Sequence, residues 1–516
     1  MVFSSATFLM AFLPITLVLY FLTPSRAGKN VMLLALSLVF YAWGEPTYVV
    51  LMVASIVCNW AFGILIAKSG QTSMRRLWLI CDLVANLALL GFFKYQGFLA
   101  ENINLLVGFE LVRDLELPLP IGISFYTLQA LSYIIDVYRN KIRYQPNILY
   151  LGMYIAMFPQ LVAGPIVRYE TIQDQILNRK ETLPGFAAGL RLFCVGLAKK
   201  VLLANMVAIL AASMLSQGGS HIGMVGAWAG LIAYTFQIYF DFSGYSDMAI
   251  GLGKMFGFSY LRNFNYPYTS RSATEFWRRW HMSLGTFFRD YIYIPLGGNR
   301  VSTRRWVLNI FVVWFLTGFW HGAAWNFILW GLFYGVLLIL ERNWINGFMA
   351  KRPGWLQHLY GIAVFMAGWL IFWIEDMGVF ARYGAAMIGY YGLTGDSTFW
   401  ELQAWNYLPV FAVCVVACLP TVPWLRMRLT CWLTGARPLS MGEFMARDIP
   451  NPKRSSVEGL CDFGLDEASL AALPAGKYRL YCLARVGVDL CLLVMLLVSI
   501  GFVISGSYNP FIYFRF

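Results

Sequence analysis

Charge is scarce in this chain of 516 residues: Asp, Glu, Lys and Arg together make up 13% of it, against roughly a quarter in an ordinary soluble domain. With 59% of its residues hydrophobic, a water-soluble globule is excluded. Polar linkers are missing as well. None divides the chain before about residue 340, so it reads as one polytopic membrane unit and not as several soluble domains. The opening Met1-Val2-Phe3-Ser4-Ser5 lacks the basic segment and small-residue cleavage site of a signal peptide, so the first apolar run is expected to stay as a membrane helix. The cysteines, at 58, 81, 194, 414, 418, 431, 461, 482 and 491, include no C-x-x-C pair, which argues against a zinc site or disulfide framework and leaves them as small apolar residues. No G-x-S-x-G elbow, H-E-x-x-H, P-loop or dinucleotide turn occurs. These absences leave no covalent serine nucleophile, no bound metal and no tightly bound cofactor in the expected picture.

What is present is apolar sequence in helix-length pieces. A spanning helix needs about 20 mostly apolar residues, and such runs lie near 6–23, 31–43, 47–67, 78–93, 121–138 and 147–165. The charges between them alternate: Arg26 and Lys29, then Glu45 alone, then Lys68, Arg75 and Arg76. Glu101, Glu110, Asp114 and Glu116 follow, and after them Arg139, Lys141 and Arg143. Basic loops stay in the cytoplasm, so the N-terminus is expected outside. The net charge of +13 is accordingly assigned to cytoplasmic loops and not to nucleic-acid binding.

Further apolar segments near 184–214, 222–253, 306–340, 357–374, 378–392, 406–424 and 484–504 predict an all-α polytopic membrane protein with about 11–13 membrane-embedded helices. The stretch 306–340 is too long for one crossing of a hydrocarbon core about 30 Å thick. A break is expected at Thr317-Gly318-Phe319-Trp320-His321-Gly322, where two glycines bracket a polar centre. The chain therefore divides into a membrane bundle over 1–425, a charged, proline-bearing cytoplasmic insertion over 426–483, and a last helix with an aromatic tail over 484–516. By alternation that tail returns to the outer side.

Only four histidines occur, and two share a setting: Trp280-His281 and Trp320-His321. His321 lies in the longest apolar stretch, where an ionisable side chain is costly and usually faces a cavity or a partner. Imidazole is also suited to taking and returning a proton near neutral pH. His221 and His358 read as structural. Around His281 the charges are dense: Glu275, Arg278, Arg279, Arg289 and Asp290 stand among aromatic residues, and Glu275 and Arg279 are spaced to pair on a helix. Two readings stand side by side here. One is an interfacial amphipathic helix; the other is a basic, aromatic-lined cavity for a phosphorylated group, with Lys199, Lys200 and Arg300 as further contacts. Asp241 and Asp247, in Tyr239-Phe240-Asp241-Phe242-Ser243-Gly244-Tyr245-Ser246-Asp247, demand partners inside a membrane. They are read either as lining a hydroxyl-binding tunnel or as bracing the fold.

A set of ordered fragments resembles the membrane-bound O-acyltransferase (MBOAT) family, and within it the branch that acetylates bacterial alginate. They are Pro120 to Tyr126, Phe158 to Pro165, Tyr239 to Ser246, Asn263 to Tyr268, Glu275 to His281, Arg289-Asp290-Tyr291, Pro295 to Asn299 and Trp320-His321-Gly322. The resemblance implies a helical bundle with a funnel or tunnel and broken or re-entrant helices. It also implies acyl transfer from a cytoplasmic thioester, acetyl-CoA, to a polysaccharide acceptor on the far side. His321 becomes the central catalytic residue and His281 its companion, with Trp280, Trp320, Asp241, Asp247 and Asp290 as substrate or tunnel candidates. A periplasmic SGNH-type acetyltransferase or esterase is the expected partner in the inner membrane of a bacterium, alongside membrane lipid. D-alanyl transfer from a carrier protein is the alternative within the family, and a non-enzymatic polymer or lipid transporter the alternative outside it.

Overall fold

The computed structural model describes residues 1–506 apart from Ala163, Ser220, 396–398 and 448–472. The expected aromatic tail at 507–516 and the middle of the expected insertion lie outside the described residues. The described chain is helical, and its only β pairing is an isolated bridge between Ile222 and Gly395. Among the described residues seven helices are long and apolar enough to cross a membrane, or eight if the pair Leu408–Ala417 and Thr421–Thr434, bent by 51°, is one span. Other apolar segments fold as shorter or more polar helices packed among these, including Phe8–Leu22, Ile123–Tyr138 and Met224–Met255.

The centre of the bundle is Met224–Met255, a helix of 32 residues that is buried along most of its length. It lies against Leu183–Ala198 at backbone contact. A Cβ on Gly196 would stand 2.5 Å from the Gly244 carbonyl oxygen, and one on Gly189 would stand 2.6 Å from that of Gly251. Both glycine pairs repeat at seven residues, so the two helix faces meet twice without side chains between them. Past Ala198 the second helix passes into a π-helical turn, Lys199–Ala204. That turn brings Lys199 within 2.7 Å of Asp247 and Lys200 within 2.6 Å of Asp241. Lys200 and Asp241 are each only 2% exposed, so two charges in an apolar interior neutralise one another.

The long stretch 306–340 does break. Thr303–His321 and Trp325–Leu340 are separate helices joined through extended backbone at Gly322 and Ala324. The break begins at the far end of the expected segment, at Gly322, because Gly318 serves a different purpose. A Cβ there would lie 2.3 Å from the Phe327 carbonyl oxygen, and one on Gly331 equally close to that of Trp314, so the two helices cross at glycine contacts. His321 is thereby the last residue of its helix, not the middle of a loop.

At the basic end of the bundle, Glu181 ties the first helices to the connection after 178. It bonds Arg26 and Tyr20 and lies 3.5 Å from Lys29. Burial would raise its carboxyl, but the hydrogen bonds from Arg26 and Tyr20 prevail and bring it down to about 2. The described flanks of the expected insertion are largely helical: Thr421–Thr434 and Met441–Arg447 on one side, and Ala475–Ile504, which starts well before 484, on the other. Leu433 and Tyr481 form a small apolar cluster of their own there.

Candidate active site

Trp280-His281 and Trp320-His321 converge. The Trp320 ring lies 5.0 Å from the His321 ring and 6.2 Å from the His281 ring, centroid to centroid. Both imidazoles are buried, at 4% and 1% exposure. Forty residues of separation in sequence become one aromatic side chain in space.

His281 is placed by local backbone. The seven-residue helix Ala273–Arg279 ends just before it and Met282–Phe288 begins just after, with His281 itself at φ +43°, a left-handed conformation unusual for a residue with a side chain. The loop at 263–265 holds this turn: Asn265 N–H donates to the Arg279 carbonyl and Met282 N–H to the Asn263 carbonyl, each at 2.9 Å. Asn263 Oδ1 also accepts from the Ser283 N–H at 3.1 Å, which fixes the amide orientation because a backbone N–H can only donate. The 3.2 Å contact between that oxygen and His281 Nδ1 therefore puts the imidazole hydrogen on Nδ1. Nε2, the lone-pair nitrogen, has no hydrogen-bond partner among the described residues.

His321 is placed by packing. Its ring is flanked edge-on by Trp330 at 5.0 Å and Phe372 at 5.3 Å, and its Nδ1 has no hydrogen-bond partner among the described residues. Its backbone is held from the helix Thr72–Val107: Tyr95 donates to the Phe319 carbonyl at 2.8 Å, and Lys94 to those of Trp320 and His321 at 2.6 and 3.2 Å.

A cavity of about 620 Å³ reaches His281 of this pair. Its inner wall includes His281, Trp277, Trp314 and Thr317, the last one helical turn before His321; Arg278 and Arg289 stand exposed on its wall nearer solvent. The Trp277 indole N–H is buried with no hydrogen-bond partner among the described residues, as is that of Trp330 beside His321. Buried donors left unpaired are costly and are expected to be satisfied when a ligand or water arrives. A second cavity of about 810 Å³ shares Thr286 and Arg289 with the first and is lined by Arg139, Lys141, Arg168, Asp290 and Tyr291. Asp290 bonds Arg168 at 2.8 Å and Arg289 at 2.6 Å. Burial would raise its carboxyl, but these two arginines outweigh it and hold the group below its ordinary value.

Of the six basic residues singled out in the sequence, Arg278 and Arg289 therefore reach the histidine cavity. Arg279 does not: it turns inward to Glu275, at 3.0 Å, and to the Asn265 carbonyl. Lys199 and Lys200 are engaged by Asp247 and Asp241 in the helix interface, and none of these four, nor Arg300, lines either cavity. Asp290 lies on the neighbouring cavity instead of beside the histidines, and Trp280 packs into the aromatic core, 4.7 Å from the Trp369 ring. The segment after Ser272 is a short, half-interior helix, in contrast to a long interfacial one, because a carboxylate anchors its start. Glu341, fully buried, accepts from the N–H groups of Ala273 and Thr274 at 2.6 and 2.8 Å.

Lys94, Asn263, Ser283, Thr317, Trp277 and Glu341 received no role from the sequence. Lys94 carried a usable signal, as a lone cation at the edge of an apolar run. The others are polar or aromatic residues that acquire meaning only from what folds against them.

The sequence pattern of MBOAT, the membrane-bound O-acyltransferase family, matches residues 31–375. The chain is 38% identical over its whole length, and the whole of the relative, to a protein of Azotobacter vinelandii named "Probable alginate O-acetylase AlgI". It is 35% identical to the peptidoglycan O-acetyltransferase of Helicobacter pylori, over 76% of this chain and 81% of that one. With the teichoic acid D-alanyltransferase of Streptococcus thermophilus it shares 30% identity over 44% of this chain and 57% of that one.

Proposed function

This chain belongs to the membrane-bound O-acyltransferase family, and from that premise we propose that it moves an acetyl group from cytoplasmic acetyl-CoA to a hydroxyl of an extracytoplasmic polysaccharide. As an O-acyltransferase of a multi-pass membrane bundle, it needs a donor entrance, a base and a place for charge to develop. The observation that carries the reading is the cavity that starts at Arg278 and Arg289 and reaches His281 and Thr317, with the Trp320 ring 6.2 Å from that of His281 and 5.0 Å from that of His321. Its arginines suit the phosphates of a CoA thioester. Asp290, joined to Arg289, accepts from Arg139 in the loop that the charge pattern assigns to the cytoplasm, so the donor enters from that side.

His321 acts as general base. It takes the proton of the acceptor hydroxyl as the oxygen attacks the thioester carbon, and the tetrahedral intermediate collapses by breaking the C–S bond. The proton then passes from the imidazolium to the departing thiolate. The Trp277 indole N–H, on the cavity wall and without a partner among the described residues, donates to the oxygen on which negative charge develops. His281, fixed by Asn263, presents its lone-pair nitrogen to the same space and orients the acceptor. Acetyl-CoA is a substrate here, with no tightly bound cofactor, and the acetyl group crosses without CoA crossing. A periplasmic SGNH-type enzyme completes delivery to the polymer.

Acetyl transfer is favoured over D-alanyl transfer because the O-acetylating relatives match along most or all of the chain, whereas the D-alanyltransferases match less than half of it. The test is deletion of the gene in its host, restoration with wild type or His321→Ala at matched membrane abundance, and quantification of acetate and D-alanine esters on surface glycans. Acetate restored by wild type alone is the expected result. D-alanine esters, or acetate restored equally by both, would overturn the donor or the base; no ester change with either would point to transport.

A further inference from the structure

We propose that Lys94 is a positioning residue for the reaction, clamping the last turn of the helix that ends at His321. The inference rests on the reading of His321 as the base and adds the device that aims it. Lys94 sits in the membrane helix Thr72–Val107, and no carboxylate partners its ammonium among the described residues. Its donors go instead to three oxygens: the carbonyls of Trp320 and His321, at 2.6 and 3.2 Å, and the Ser124 hydroxyl at 3.2 Å. The neighbouring Tyr95 donates to the Phe319 carbonyl at 2.8 Å, and its ring stacks on that of Phe319 at 3.9 Å. Two turns further along, Asn102 Oδ1 accepts from the Trp325 indole at 3.0 Å, beyond the break.

The physical reason for a lysine here is the helix end itself. The last carbonyls of a helix have no partner within it and carry the negative end of its dipole. A cation supplied from another helix satisfies them and is stabilised without a carboxylate. His321 is the final residue of Thr303–His321, followed at once by extended Gly322, whose N–H makes a long bond of 3.4 Å to the Gly318 carbonyl, so the chain beyond His321 holds the turn only weakly. Among the described residues His321 Nδ1 makes no hydrogen bond to hold it either. Its aim therefore depends on ring packing and on the clamp from Lys94 and Tyr95. Ser124 makes the same ammonium a link to the helix Ile123–Tyr138.

The experiment uses the full chain in lipid nanodiscs for amide hydrogen exchange, and the deletion host for ester formation at matched abundance. In Lys94→Met, exchange in the segment 315–325 rises about tenfold while that of 224–255 stays at the wild-type level. Ester formation falls roughly 10- to 100-fold, the range expected when a reacting group is misplaced by about 1 Å. Lys94→Arg, which keeps the cation and its donors, returns most of both. Unchanged exchange at 315–325, ester formation within about twofold of wild type, or failure of arginine to rescue would each overturn the clamp. A fully active His321→Ala would instead overturn the reading of the base, and the exchange comparison would still decide whether Lys94 holds that turn.

Discussion

The two Trp-His dipeptides are alike in sequence and unlike in how they are held. His281 stands on left-handed backbone between two short helices, and its ring is turned by Asn263. His321 ends a long helix, and its ring is held by Trp330 and Phe372 while its backbone is gripped from a helix more than two hundred residues away in the chain. One histidine is oriented by a hydrogen bond to its ring, the other by aromatic packing around its ring and by bonds to its backbone. That difference suits the proposed division of labour, in which His321 takes the proton and His281 orients the substrate.

The comparison breaks most directly at the histidines. His321→Ala is expected to lower ester formation by about 100- to 10,000-fold, the usual span for a general base, whereas His281→Ala costs about tenfold to a hundredfold as orientation is lost. Equal losses, measured at matched abundance, would erase the distinction. Next in size is the donor cavity. Replacing Arg278 and Arg289 together by Gln raises the KM for acetyl-CoA about tenfold and leaves kcat near wild type, because binding common to ground and transition states is removed. A fall in kcat alone would move these arginines from donor binding into the chemistry.

The smallest effect lies far from both histidines and serves as a control on the fold. Glu181 has its carboxyl lowered from 4.5 to about 2. A group whose folded value is depressed contributes stability fully above its unfolded value, and that contribution disappears as pH falls through the folded value. The melting temperature of wild type in detergent should therefore fall from pH 4.5 towards pH 2 more steeply than that of Glu181→Gln. Parallel curves would show that the Arg26–Glu181 tie adds nothing measurable.

Much of the frame was legible beforehand. The runs at 31–43, 47–67 and 357–374 correspond to the helices Arg26–Gly44, Val49–Lys68 and Gly354–Trp373, because an apolar stretch of bilayer length has few other outcomes. The helix expected at 78–93 extends to Thr72–Val107, and the reason is visible: its far end is polar in sequence but is held by Asn104, which bonds Val112 on both its backbone groups. The break in 306–340 was legible from its length and its glycines, but which of the two glycines would carry it was not. Gly318 reads in sequence as a helix breaker and serves in the fold as a contact point for Phe327. Likewise, a basic residue near His281 says nothing by itself about its direction. Arg278 and Arg279 are neighbours, yet one lines the cavity and the other turns inward to Glu275, as helical rotation between successive residues requires.

Sequence alone settled that this is a membrane-embedded helical protein and singled out two rare, matched Trp-His pairs as candidates for its site. Those properties follow from local composition, which the bilayer reads residue by residue. Tertiary structure decided the rest: that Trp320 joins the two histidines, that Asn263 sets the tautomer of one and Lys94 caps the helix of the other, and that five of the candidate charges serve the fold in place of the cavity. Each depends on groups distant in the chain meeting within hydrogen-bond reach, and only packing of the helices brings them there.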